Sequence, residues 1–127
     1  MLNKWNREHA PAAAARPDLW TCLEANIYGA ELDQIALAAD EWTGFMQPLR
    51  EDLADYPFNG YLSNDIYIEM GHNTDLSGTK MFTVLFFATG QDPVKKLAMG
   101  ADALTDHLQL AGVPVEKIRW ETPELRG

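Results

Sequence analysis

Met81-Phe82-Thr83-Val84-Leu85-Phe86-Phe87-Ala88 runs through Thr89-Gly90 into Asp92-Pro93. An uncharged run this rich in aromatic and β-branched residues reads as a strand buried on both faces. Gly90 ends it, and Asp92 caps a helix that carries Pro93 at its first position. Alternation along the strand sends Phe82, Val84 and Phe86 to one side and Met81, Leu85 and Phe87 to the other.

Downstream, Val94, Leu97, Ala98, Ala101, Leu104, Leu108 and Ala111 recur at helical spacing, and Gly112 with Pro114 closes that helix. Ile118 and Trp120 then alternate with Lys117, Arg119 and Glu121 in a last strand, and residues 123–127 read as a short tail. Upstream, His72 to Thr79 is rich in turn formers and reads as a hairpin loop. Before it, Ile66, Ile68 and Met70 alternate with Asp65, Tyr67 and Glu69, a strand with one wet side. Tyr56-Pro57-Phe58-Asn59-Gly60 is a turn cluster, preceded by a short helix expected over residues 47–55 that buries Leu49 and Leu53. Pro48 suits the first turn of that helix.

The first strand is Leu19 to Tyr28, with Leu23, Ala25 and Ile27 on one face and Trp20, Cys22, Glu24, Asn26 and Tyr28 on the other. Leu32, Ile35, Ala36, Ala39 and Trp42 mark the first helix, stopped by Thr43-Gly44. Residues 1–17 have no periodic apolar face and read as an N-terminal arm or linker, leaving 18–127 as a single domain. The element order is strand, helix, strand, strand, helix, strand. It predicts an α+β fold: a ferredoxin-like βαββαβ sandwich, a four-stranded antiparallel sheet with both helices on one face. Right-handed crossovers then put the first and third strands in the centre and the second and fourth at the edges.

A chain of 127 residues is long enough to bury a core without staples. The single cysteine, Cys22, excludes an internal disulfide and a cysteine zinc cage. A net charge of −9 opposes nucleic-acid phosphates and anionic membrane surfaces. No apolar leader or membrane-length run is visible, so a cytoplasmic location is expected.

No nucleotide-binding, metalloprotease or nucleophile-elbow motif occurs, and no catalytic residue, metal ligand or cofactor is assigned. His72 with Asn73 and Asp75 fits turn geometry better than a metal site. Asp102 and Asp106 share a helix face, as solvated carboxylates ordinarily do. Glu24 and Arg119 are expected to meet across paired strands, most simply as an ion pair.

The helix-free face of the sheet carries the functional expectation. Trp20, Met81, Leu85 and Phe87 form an apolar centre with charges around it, the build of an interface. The leading reading is a non-catalytic interaction or assembly protein that associates with itself or another protein, using this face and the arm through Trp5. Components of phage or bacterial conflict systems fit that description. The alternative resembles dimeric α+β barrel proteins: a small-molecule-binding protein or cofactor-free enzyme, with Glu24, Tyr28, Tyr67, Glu69 and Arg119 lining a pocket and His72 at its mouth.

Overall fold

The structure is a computed structural model and describes residues 20–29, 31–44, 50–63, 66–121 and 124–126. The arm with Trp5 lies outside the described residues, as do positions 47–49 of the expected second helix, Leu49 among them.

The described chain is α+β. Strand β1 (Trp20–Ile27) leads to helix α1 (Leu32–Thr43), then to strands β2 (Phe58–Ser63), β3 (Ile66–Thr74) and β4 (Lys80–Ala88). Helix α2 (Pro93–Leu110) follows, and a 3-10 turn (Val115–Lys117) feeds β5 (Ile118–Trp120) and β6 (Glu124–Arg126). The strands form one antiparallel sheet in the order β2-β3-β4-β1-β5, with β6 pairing the far end of β1.

The expected four-stranded sheet is therefore corrected. β1 and β4 do sit inside it, but β3 is not an edge, because β2 flanks it. The turn cluster at Phe58-Asn59-Gly60 is the start of that extra strand. The tail is corrected too. Glu124–Arg126 returns to β1, with Cys22 opposite Glu124 and Ala25 opposite Trp120. Those pairings differ by one residue in register.

Both helices pack on one face. Leu23, Ala25 and Ile27 from β1, Ile68 and Met70 from β3, and Phe82, Val84 and Phe86 from β4 bury against Ile35, Ala39, Leu97, Ala101, Leu104 and Leu108. The alternation of β4 thus falls as its sequence implies. Helix α1 ends where Gly44 takes a left-handed φ of 67° and returns its N–H to the carbonyls of Asp40 and Glu41. Helix α2 starts at Asp92, whose carboxylate accepts from the Lys95 N–H at 3.2 Å.

Residues 50–57 are a strap of turns, correcting that part of the expected helix. A helix would use the Arg50 carbonyl internally and leave its N–H, in the first turn, without an intrahelical acceptor. Here both go to the Asn59 side chain, at 2.8 and 3.1 Å. The strap crosses the helix-free face closely enough that a Cβ on Gly71 would lie 2.2 Å from the Asp55 carbonyl oxygen. Gly71→Ala is accordingly expected to lower the unfolding free energy by about 1–3 kcal/mol, since backbone and not a flexible side chain must move. An unchanged denaturation midpoint contradicts the close crossing.

Candidate functional site

The helix-free face is laid out by strand register. One row across it reads Cys22, Phe87, Tyr67 and Tyr61, and the next reads Glu24, Leu85, Glu69 and Asn59. A third row reads Arg119, Asn26, Thr83 and Gly71.

Its apolar centre is not open. Leu85 and Met81 are only 3% and 6% exposed within this chain, which corrects the expectation of an uncovered centre at these two residues, whereas Trp20 and Phe87 are half-buried. The polar groups beside them satisfy one another. Asn26 Nδ2 donates to Glu24 Oε2 at 2.8 Å, and the Thr83 hydroxyl donates to Asn26 Oδ1 at 2.7 Å. Asn73 Nδ2 lies 3.4 Å from both Thr83 Oγ1 and the Tyr56 hydroxyl, so the strap joins the same network. A linked network of this kind holds a sheet face in one arrangement.

The residues expected to converge on a ligand lie in separate places. Glu24 and Glu69 flank Leu85, and Tyr67 neighbours Glu69. Arg119 does not stand opposite Glu24: it pairs with Asn26 in register, and its Nε is 3.4 Å from Glu121. Tyr28 bonds Asp75 Oδ2 at 3.3 Å and, with Arg119 and Lys117, borders an open groove of about 760 Å3. His72 points to the helix side, edge-on to Phe82 with ring centroids 5.4 Å apart. It lines a separate groove with Asp33, 4.0 Å away, and Lys80. Among the described residues no group of three or more His, Cys, Asp or Glu is placed to hold a metal ion.

Electrostatics follow the same division. Burial, then the nearby Glu69 carboxylate, pushes the Tyr67 phenol from 10.0 to about 12. The hairpin acid Asp75 is held below the ordinary carboxylate range by the Ser77 hydroxyl and the Thr79 N–H. Because the fold favours the neutral Tyr67 phenol, that stabilisation is complete below 10.0 and is lost as pH rises through about 12. An alkaline titration of phenolate absorbance should show a step near 12 that Tyr67→Phe removes. Ionisation of Tyr67 near 10.0 would contradict its burial beside Glu69.

Accessible aromatic surface lies at the β2 end of this face, with Arg119 exposed at its other end. Tyr61 is 55% exposed and Leu62 37% exposed on the outermost strand. The Tyr61 ring meets Tyr67 edge-on at 5.5 Å, and Tyr67 meets the half-buried Phe87 at 5.8 Å. Tyr61 and Leu62 escape a reading of the sequence because Asn59-Gly60 imitates a turn. The signal available was the alternation of Phe58 and Gly60 with Asn59 and Tyr61. Comparison of the chain with protein-family models, curated proteins and solved structures finds no match.

Proposed function

We propose that this chain is a non-catalytic interaction protein that meets its partner through the β2 end of the sheet. The aromatic row carries the reading: Tyr61, Tyr67 and Phe87 run from exposed to half-buried across three strands, and Leu62, which follows Tyr61 on the outermost strand, is exposed as well. Large side chains held in place before contact lose little freedom on binding, which is why aromatic residues anchor interfaces. The buried centre around Leu85 then acts as the rigid base of that surface.

The strand order β5-β1-β4-β3, covered by α1 and α2, supports reading the core as ferredoxin-like with β2 added outside it. That topology serves many functions, so the proposal rests on the surface. The partner is a protein, and a cytoplasmic location is consistent with a described chain in which no helix is long and apolar enough to cross a membrane.

Native electrophoresis of the chain in extracts of its own cells tests the reading. Wild type should migrate in a complex, and the double variant Tyr61→Lys, Leu62→Lys should migrate free. Both exposed substitutions should change stability by no more than about 0.5 kcal/mol each. A wild type that migrates alone, or a variant that stays in the complex, refutes it.

A further inference from the structure

We propose that Asn59-Gly60 is a self-modification site gated by the strap. When the strap lifts, the pair cyclises with loss of ammonia, and the carboxylate that results keeps the strap from closing again. This holds whichever partner the β2 end meets.

Asn59 is the one asparagine of the chain that precedes a glycine. Glycine leaves its own nitrogen unshielded, because it has no Cβ and its backbone turns freely. In the reaction the Gly60 nitrogen attacks Asn59 Cγ. A bond forms between them, the Cγ–Nδ2 bond breaks, and Nδ2 departs as ammonia with the proton that the Gly60 N–H gives up. A water molecule then opens the five-membered imide. Opening at one carbonyl leaves aspartate. Opening at the other leaves isoaspartate, which adds one methylene to the main chain.

The closed strap blocks this chemistry. Asn59 is fully buried. Its Nδ2, the leaving group, donates to the Arg50 and Tyr56 carbonyls, both at 3.1 Å. Its Oδ1 accepts from the Arg50 N–H at 2.8 Å and from the Tyr67 hydroxyl at 3.3 Å. Cγ cannot turn onto the Gly60 nitrogen without breaking these bonds. Three of the four go to the strap, so lifting the strap releases the amide and admits water.

The product cannot restore the closed state. A carboxylate still accepts from the Arg50 N–H and the Tyr67 hydroxyl, but it has no hydrogen for the two carbonyls that Nδ2 served. Asn59 also stands opposite Glu69 in the β2–β3 register, and Glu69 is buried. A second carboxylate there is costly to bury. Arg50, the cation of the strap, is held on the exposed Asp52 at 3.1 Å. Isoaspartate adds a further fault, since the longer main chain cannot keep both Phe58 opposite Met70 and Gly60 opposite Ile68.

The test follows Asn59 by mass-spectrometric peptide mapping while the full chain stands in mildly alkaline buffer, native or in guanidinium. In the denatured chain Asn59 should convert before the other asparagines. In the native chain it should convert about tenfold or more slowly, because the reaction waits on local opening. Gly71→Ala crowds the strap from beneath and should speed native conversion severalfold, while β1 and β4 amides keep their exchange protection. The converted chain should show fast amide exchange over residues 50–56. Asn59→Asp, which supplies the carboxylate without the wait, should show the same. Equal rates in the native and denatured chains, or earlier conversion at another asparagine once denatured, overturn the proposal. So does a native rate that Gly71→Ala leaves unchanged, or strap exchange that stays slow after conversion. If either variant fails to fold, the native-to-denatured ratio and the converted wild type still decide.

Discussion

Alanine in place of Phe86 is expected to lower the unfolding free energy by about 3–5 kcal/mol. Phe86 is fully buried at the centre of β4. Its ring lies 6.0 Å from that of Trp42 on α1 and 6.3 Å from that of Trp120 on β5. On α2, a Cβ built at Gly100 would come within 3.0 Å of the same ring. One side chain thus joins two helices and the strand beyond β1, and its loss opens a cavity that three elements would have to collapse to fill. Chemical denaturation measures the loss, with Leu76→Ala as the reference, because Leu76 is fully exposed at the hairpin tip. Coupling is expected with Gly100→Ala. Alone it crowds the ring, whereas beside Phe86→Ala its methyl group occupies vacated space, so the two effects should not add. A loss below about 1 kcal/mol for Phe86→Ala would contradict the packing described.

Asn59→Ala should cost about 3 kcal/mol, for a polar reason. Asn59 is fully buried on the outermost strand. Its Oδ1 accepts from the Arg50 N–H at 2.8 Å and from the Tyr67 hydroxyl at 3.3 Å. Its Nδ2 donates to the Arg50 and Tyr56 carbonyls, both at 3.1 Å. That occupies both donors and both acceptor sites of the amide. Alanine takes a partner from four groups, of which the Arg50 carbonyl keeps the Leu53 N–H and the Tyr67 hydroxyl keeps Glu69; a group left without a partner costs about 1–3 kcal/mol while it stays buried. The strap can lift and recover water, which holds the total well below the sum. The distinguishing result is local. Amide exchange should quicken over residues 50–56 and around Gly71, while β1 and β4 keep their protection. Uniform loss of protection would instead make Asn59 part of the global core.

These two residues also show what could be read before folding. Phe86 is legible because β4, α1 and α2 have strong periods, and a period assigns each side chain to a face. Asn59 is not legible, because an Asn-Gly pair after Pro57 has the composition of a turn. Only the strap's need for donors and acceptors explains an amide inside a strand. The same need removes the Arg50 end of the expected helix. His72 was within reach: counting by two from Ile66, Ile68 and Met70 places it on the helix side, where it meets Phe82. The residues expected to surround a ligand share a sheet in sequence pattern. Register, which no local pattern specifies, sends Tyr28 and Arg119 to one groove and leaves Glu24 and Glu69 on either side of Leu85. The open apolar centre failed for a related reason. Alternation shows that Met81 and Leu85 leave the helix side, but it cannot show that the chain buries them again.

Site-specific cross-linking in the protein's own cells tests the central claim most directly. A benzophenone side chain is placed at Tyr61, and, as a reference, at Met99, which is 60% exposed on α2. Discrete adducts should form from position 61 and not from position 99. Adducts from 99 alone, equal adducts from both positions, or none from 61 would contradict a contact surface at the β2 end of the sheet.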